Sequence, residues 1–218
     1  MVILLTGGSR GIGGSIKNAF REHTVITPSR AEMNLAYITS VQRYLKSLPN
    51  VDILINNAGV NYVNTLEKET LETIQETFTV NYLTPLTIIQ HYLPYMRKQN
   101  YGRIINIGSI WIDYAKPGRG SYSSSKNALH SLTKTVVSEY AEYNILCNTI
   151  SPGYILTDLT LQNNSEADLE KIKVQIPQGR LGTVEEVANL VYFLTLENTY
   201  INGQNITIDG GYSATAKG

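Results

Sequence analysis

Short apolar runs alternate along the chain with segments whose apolar residues recur at helical spacing. Residues 51–55 are apolar at nearly every position, a pattern typical of a strand covered on both faces. Val41, Tyr44, Leu45 and Leu48 fall at i, i+3, i+4 and i+7, which predicts one face of a helix. The pattern predicts strands at 2–6, 24–27, 51–55, 103–107, 145–150 and 205–208, and helices at 13–21, 38–48, 71–100, 123–143 and 184–194.

This alternation predicts an α/β fold: one doubly wound parallel sheet with helices on both faces, in a single domain spanning 1–218. Pro85 and Pro94 are expected to interrupt the long helix at 71–100. Residues 28–32 are too few for a crossover helix. We therefore expect the crossover helix after the second strand to be missing, with at most a rudimentary strand at 33–36.

Composition and charge exclude several classes of protein. Eighteen basic residues balance eighteen acidic ones among 218, which argues against a dedicated binder of nucleic acid or anionic membranes. No apolar stretch reaches the roughly 18 residues of a membrane span. The single cysteine, Cys147, excludes an internal disulfide and fits a reducing compartment. These features predict a cytoplasmic protein.

A glycine-rich turn follows the first strand and opens the first helix. Glycines allow a backbone to turn tightly and to approach a pyrophosphate at the positive end of a helix. The spacing is not the usual G-x-G-x-x-G, and an ordinary strand-to-helix turn would have the same composition. The turn therefore indicates a phosphate site only together with other motifs. Its candidate binding residues are Gly7, Ser9, Arg10, Gly11, Ile12 and Gly13.

The combination of motifs is specific. After the turn come Asn56-Asn57-Ala58-Gly59, Asn81, Ser109, Tyr122-x-x-x-Lys126, Ser151-Pro152-Gly153 and a closing Asp209-Gly210-Gly211, all in order. With these motifs the chain resembles the short-chain dehydrogenase/reductase family from residue 2 to about residue 213. It is most similar to the 3-oxoacyl-acyl-carrier-protein reductase branch. The resemblance implies a Rossmann-type NAD(P)-binding catalytic domain that transfers hydride between a nicotinamide cofactor and a carbonyl carbon.

Four residues form the implied catalytic set. Tyr122 and Lys126 are four apart in a predicted helix and so share one face. An ammonium beside a phenol is expected to lower its pKa toward neutral pH. Ser109 lies at the family's usual interval before Tyr122 and would hold the substrate oxygen. By resemblance, Asn81 anchors a water that relays protons through Lys126.

The resemblance also implies the cofactor contacts. Lys126 and Tyr122 would adjoin the nicotinamide ribose. The remaining matching positions are Asn34 and Leu35 at the adenine, Asn57, Ala58 and Gly59 along the adenosine ribose, and Pro152, Gly153, Ile155 and Thr157 at the nicotinamide.

No acid ends the second strand, whereas Arg10 and Arg30 could pair with a 2′-phosphate. We therefore predict a preference for NADP(H), with NAD(H) as the alternative if Glu32 turns toward the ribose.

The substrate side is less specific. Trp111, Tyr114 and Tyr154 are the candidate pocket residues, with Asp113 and the variable stretch 159–178 beside them. Asn100 and Tyr143 stand where carrier-protein reductases have docking arginines, which weakens an acyl-carrier substrate. The three histidines lack metal-ligand spacing, so no metal is expected, and Cys147 is predicted to be a core residue.

Three functions remain open. The first is an NADP(H)-dependent reductase of small carbonyl compounds, with 3-oxoacyl thioesters as one substrate candidate. The second is a sugar- or pterin-type reductase of the same family, suggested by the short segment 28–37. The third is a non-catalytic NADP(H)-binding regulator, which the retained catalytic set argues against. The resemblance also implies a homodimer or homotetramer formed through the helices at 71–100 and 123–143.

Overall fold

A single parallel sheet organises the chain. The computed structural model describes residues 1–157, 160–161 and 165–215. The strands run in the order β2-β1-β3-β4-β5-β6, every neighbouring pair being parallel. Their bounds are Val2–Leu5 (β1), Thr24–Ile26 (β2), Ile53–Asn56 (β3), Gly102–Ile107 (β4), Ile145–Pro152 (β5) and Asn205–Ile208 (β6). The predicted doubly wound α/β fold is confirmed.

Helices cover both faces of this sheet. Their bounds are Gly11–Ala19 (α1), Ile38–Leu45 (α2), Leu71–Phe78 (α3), Thr84–Gln99 (α4), Gly120–Tyr140 (α5), Glu166–Val174 (α6) and Val184–Tyr192 (α7). Side chains alternate across a strand. Leu4 and Leu54 therefore pack toward α2, α4 and α5, whereas Ile3 and Ile53 pack toward α1 and α7. The inner strands β3, β4 and β5 are buried on both faces, as the apolar run at 51–55 predicted for β3, whereas the edge strands β2 and β6 are only partly buried.

The connection from β2 to α2 is short. Residues 28–37 form turns, with neither a helix nor a strand. This confirms that the crossover helix after β2 is missing, and it agrees with the expectation of at most a rudimentary strand at 33–36. The Glu32 carboxylate accepts hydrogen bonds from the Ser29 amide at 2.8 Å and its hydroxyl at 2.7 Å. The Thr84 hydroxyl donates to the Leu35 carbonyl at 2.8 Å. This bond ties the segment to the start of α4.

The long helical segment breaks at neither predicted proline. Pro94 lies inside α4, and Pro85 occupies its first turn, where a missing N–H is tolerated. The irregularity is instead a π-helical turn over Thr79–Leu83, in which the Thr84 N–H donates to the Thr79 carbonyl. Because Pro85 has no N–H, the Asn81 carbonyl lacks the donor that an α-helix would supply four residues later. The missing N–H of Pro85 therefore affects the hydrogen bonding of the Asn81 carbonyl, four residues earlier.

Helix α6 was not predicted. None of its residues is fully buried, and its apolar face is narrow, with Leu169 and Ile172 packing against a small cluster that includes Ile176. Its start is nevertheless encoded locally, because the Ser165 hydroxyl accepts from the Asp168 amide at 3.2 Å.

Candidate active site

The glycine turn lies at the carboxyl edge of the sheet, between β1 and α1. The Thr6 hydroxyl accepts from the Asn57 and Ala58 amides, each at 3.1 Å. The Asn57 side-chain amide donates to the carbonyls of Thr6 and Gly7 at 3.1 and 3.0 Å. These bonds bring the turn and the predicted segment 57–59 together.

The turn is packed so closely that side chains would not fit. Gly7 and Gly11 have φ of +69° and +54°, which favour glycine. A Cβ on Gly13 would lie 2.0 Å from the Gly7 carbonyl oxygen. Bare backbone at a helix N-terminus suits a pyrophosphate. This part of the molecule therefore fits the dinucleotide that the sequence predicted.

The predicted segment 152–157 reaches the same place from β5. A Cβ on Gly11 would lie 3.7 Å from Thr157 Cγ2, so the segment lies against the glycine turn. The Leu156 amide donates to the Gly182 carbonyl at 2.8 Å, which anchors Ile155 and its neighbours. A Cβ on Gly153 would lie 2.6 Å from Asp209 Cβ. That close approach accounts for the glycine after Pro152.

Ser109 and Tyr122 meet across the end of β4. Ser109 follows this strand and is buried, and Tyr122 lies in the first turn of α5. A hydrogen bond with Ser109 lowers the pKa of Tyr122, as does the charge of Arg119. Burial raises the same pKa by more, so the net direction is upward.

The upward direction differs from our expectation that Lys126 would lower the pKa of Tyr122. The lysine Nζ lies 5.8 Å from the centre of the Tyr122 ring and donates to the Ile107 carbonyl at 2.7 Å. It is 3% exposed, and burial lowers its pKa to about 8. Desolvation disfavours the charged form of each group, and it is the largest cause of both pKa shifts.

Asn81 lies in the π-helical turn with its side chain fully used. Its Oδ1 accepts from the Val60 amide at 2.9 Å, and its Nδ2 donates to the Val60 carbonyl at 2.9 Å and to Ser125 Oγ at 3.0 Å. A Cβ on Gly59 would lie 3.2 Å from Asn81 Oδ1 and 3.3 Å from Lys126 Nζ. Asn81 and Lys126 therefore meet at Gly59. All four predicted catalytic residues are brought together.

The adenosine end is open. Arg10 and Arg30 are both exposed, and they follow β1 and β2, which are neighbouring parallel strands. Asn34 is held by its amide donating to Ser40 Oγ at 3.2 Å. The Glu32 carboxylate, bonded to Ser29, has a lowered pKa because these hydrogen bonds stabilise its charge.

The predicted substrate side is aromatic. Trp111 and Tyr154 make an edge-to-face contact at 6.2 Å, and both contact Tyr212 in the same way. The Tyr114 hydroxyl instead donates to the Ser213 carbonyl, and Asp113 accepts from Asn205 at 3.3 Å. The variable stretch 159–178 lies partly outside the described residues. A cleft of about 550 Å³, lined in part by this stretch, includes Leu156, Leu169 and Leu181 but none of the predicted catalytic residues.

Several residues of this region carried no sequence signal. Glu69 accepts from the amide and hydroxyl of Ser121 at 3.1 and 2.6 Å, although 52 residues separate them. Ser125 donates to the Tyr122 carbonyl at 2.7 Å while accepting from Asn81. Arg119 has a signal in the sequence, as a cation three residues before the predicted catalytic Tyr122. Tyr212 follows the closing Gly210-Gly211 and could have been grouped with it.

The single cysteine lies in the core. Burial in β5 raises the pKa of Cys147 to about 12, as suits a core residue. Within the described ranges, no three His, Cys, Asp or Glu side chains form a metal-binding group. The same ranges contain no helix with the length and hydropathy needed to cross a membrane.

Comparison with known proteins places this geometry in a family. The model of the family described as enoyl-(acyl carrier protein) reductase matches residues 33–213. The 3-oxoacyl-[acyl-carrier-protein] reductase FabG of Aquifex aeolicus is 35% identical over 239 aligned residues, with 96% of each chain covered. The chain belongs to the short-chain dehydrogenase/reductase family. The predicted resemblance, including its carrier-protein reductase branch, is confirmed.

Other members of the short-chain dehydrogenase/reductase family are similar over different extents. The 2-(R)-hydroxypropyl-CoM dehydrogenase of Xanthobacter autotrophicus is 36% identical over 169 aligned residues, covering 75% of this chain and 68% of that one. A 4-hydroxyisoleucine dehydrogenase complexed with NADH superposes with a TM-score of 0.90 at 25% identity, covering 99% of this chain and all of that one. A gluconate 5-dehydrogenase from Burkholderia cenocepacia, in complex with NADP and tartrate, superposes with a TM-score of 0.85 at 25% identity, covering 99% of this chain and 96% of that one. As a member of this family, the chain is an oxidoreductase.

Proposed function

We propose that this oxidoreductase interconverts a carbonyl and a secondary alcohol with NADP(H), and that Asn81, Ser109, Tyr122 and Lys126 carry the reaction. The observation that carries the proposal is the meeting of Tyr122 with Ser109 at the end of β4, with buried Lys126 beneath the tyrosine ring. Lys126 is buried with no carboxylate partner among the described residues, and this burial lowers its pKa to about 8. Burying a charge in this way is unfavourable, and a protein that only binds the cofactor would have no need of it. Catalysis accounts for that arrangement, whereas a regulator does not.

Each residue has one role in reduction. When bound, the nicotinamide supplies the hydride for the carbonyl carbon. Tyr122 donates its phenolic proton to the carbonyl oxygen, and Ser109 donates a hydrogen bond to the same oxygen as charge develops. Lys126, held by the Ile107 carbonyl, stabilises the phenolate that forms. The Asn81 carbonyl, which lacks an α-helical donor because of Pro85, accepts a hydrogen bond from the water that returns the proton.

NADP(H) is the proposed cofactor because two exposed arginines and no free acid follow β1 and β2. Arg10 and Arg30 would pair with the 2′-phosphate. The Glu32 carboxylate is already bonded to Ser29, which argues against its binding a ribose hydroxyl. The solved relatives include one bound to NADP and one bound to NADH. Because these relatives differ in cofactor, the proposed preference for NADP(H) rests on Arg10 and Arg30.

The substrate is a small carbonyl compound. The names of similar proteins cover 3-oxoacyl thioesters, gluconate and 4-hydroxyisoleucine. The aromatic side chains of Trp111, Tyr154 and Tyr212 would border such a substrate. The homodimer or homotetramer expected from the resemblance stays a prediction, which light scattering coupled to gel filtration tests.

The experiment measures NADPH oxidation with a panel of ketones and acetoacetyl thioesters, comparing the unaltered protein with Tyr122→Phe. We expect Tyr122→Phe to lose on the order of 10²- to 10⁴-fold in kcat while still binding NADPH, because only the proton donor is removed.

Two outcomes contradict the proposal. Equal turnover by Tyr122→Phe would refute the catalytic assignment, and NADPH binding without turnover on any carbonyl would favour the regulator. Fluorescence titration with both cofactors tests the cofactor separately, and tighter binding of NADH would refute the preference for NADP(H).

A further inference from the structure

Arg119 occupies a position where local physics disfavours a cation. It is the N-cap of the 21-residue helix α5, and its side chain makes no capping hydrogen bond. Serine, aspartate and asparagine are preferred there, because the first amides lack partners and the helix end is positive. Glu69 does the capping instead, by accepting from the Ser121 amide and hydroxyl. The helix start is therefore satisfied without Arg119.

The guanidinium of Arg119 lacks a counter-ion in the described part of the chain. Its Nε is buried and has no hydrogen-bond partner, and no ion pair between described residues includes it. The nearby carboxylate of Glu69 is bonded to Ser121, and Asp113 accepts from Asn205. An unpaired buried donor of a charged group is unfavourable. An anion that pairs with the outer nitrogens of Arg119 would supply the counter-ion that the described residues do not.

Arg119 is also close to Tyr122 along the chain, because it is the N-cap of the helix whose first turn contains Tyr122. Its backbone forms a parallel bridge with Asn64, which fixes it between that segment and α5. Its charge lowers the pKa of Tyr122, three residues later. Trp111, on the same connection between β4 and α5, contacts Tyr154 across the substrate side. Trp111, Arg119 and Tyr122 therefore lie on one stretch of chain, from the end of β4 to the first turn of α5.

We propose that Arg119 binds a carboxylate of the substrate, so that the enzyme acts on small ketones that carry a carboxylate group. This inference rests on the proposed function and narrows its substrate class. Arginine suits the role because its planar fork donates two parallel hydrogen bonds to a carboxylate. The reaction stays balanced: NADPH supplies the hydride, Tyr122 the proton, and the oxo acid becomes a hydroxy acid. The carboxylate itself is unchanged.

The first test compares each oxo acid with its neutral ester, namely acetoacetate with methyl acetoacetate and 4-oxopentanoate with its methyl ester. We expect the unaltered protein to prefer one acid over its ester by about 10- to 100-fold in kcat/KM, the range of a charge-assisted hydrogen bond. In Arg119→Gln this ratio should fall to near one, and Arg119→Lys should keep part of it. Taking the ratio cancels any effect that Arg119 has on Tyr122. Arg43→Gln, an exposed arginine on α2, is the matched control.

A second test does not depend on turnover. Trp111 is the only tryptophan, so its fluorescence reports on this side of the site. With NADP⁺ present, butanoate should give a saturable change that butanamide does not give and that Arg119→Gln abolishes. This titration stays informative even if the proposed reaction fails.

Three results would overturn the inference. The first is an acid-to-ester ratio that is the same in Arg119→Gln and in the unaltered protein. The second is a butanoate titration that Arg119→Gln leaves unchanged. The third is faster reduction of the neutral acetoacetyl thioester of N-acetylcysteamine than of either oxo acid. Failure of every ketone while NADPH binds would instead refute the proposed function.

Discussion

Replacing Lys126 with methionine should abolish turnover and yet stabilise the fold. The ammonium is buried with no carboxylate partner in the part of the chain that the structure describes, and burial lowers its pKa from 10.5 to about 8. That fall corresponds to about 3 kcal/mol of unfavourable free energy for the charged form at neutral pH. Losing the hydrogen bond to the Ile107 carbonyl offsets about 1 kcal/mol of the gain. We therefore expect Lys126→Met to unfold with a free energy about 2 kcal/mol higher at pH 7.

The pH dependence of the stability difference tests whether desolvation of the Lys126 ammonium is its cause. Between about pH 8 and 10.5, the unfolded chain keeps the Lys126 proton while the folded protein releases it, so the unaltered protein gains stability as pH rises. Below about pH 8 both states are protonated and the penalty is constant. The advantage of Lys126→Met should therefore be largest at pH 7 and decline above pH 8.

Urea unfolding followed by circular dichroism, at one protein concentration and at pH values from 7 to 10, measures this difference. Lys134→Met, an exposed lysine on the same helix, is the control and should change the free energy by at most about 0.5 kcal/mol. A Lys126→Met variant that is less stable at pH 7, or a difference that does not vary with pH, would refute the reasoning.

Two further predictions concern packing around the site. Ser125→Ala removes the hydroxyl that joins Asn81 to the Tyr122 carbonyl. We expect this variant to have a free energy of unfolding lower by about 1–2 kcal/mol. Its kcat should fall by about tenfold or more, because Asn81 and Tyr122 lose a positioning contact, while NADPH affinity is retained. Unchanged kcat would exclude a positioning role for Ser125. Gly13→Ala should destabilise the protein by about 3 kcal/mol and weaken NADPH binding, because its Cβ would lie 2.0 Å from the Gly7 carbonyl oxygen. Gly14→Ala, whose Cβ has no neighbour nearer than 3.8 Å, should instead stabilise helix α1 by about 0.5–1 kcal/mol, and thermal melts distinguish the two.

Local sequence patterns predicted the strands, the missing crossover helix and the shared helix face of Tyr122 and Lys126. Short apolar or alternating runs predicted the six strands of the described sheet, most clearly β3, because a strand covered on both faces must be apolar at successive positions. The shortness of residues 28–37 predicted the missing crossover helix by chain length alone. The four-residue spacing of Tyr122 and Lys126 placed them on one helix face, since that spacing is close to a helical turn.

Contacts between distant residues decided the rest. The direction of the Tyr122 pKa depends on burial, which neighbours in the sequence do not report. Pro85 was expected to interrupt the helix. In the structure it lies in the first turn of α4, and its missing N–H deprives the Asn81 carbonyl of an α-helical donor.

The clearest case is the start of α5. The sequence by itself determined that a tyrosine and a lysine share this helix. Only the tertiary structure brought Glu69 to Ser121, 52 residues away, and left Arg119 without a partner among the described residues. The physical reason is that periodicity and spacing encode local geometry, whereas desolvation and charge pairing depend on which distant groups the fold brings within a few ångströms.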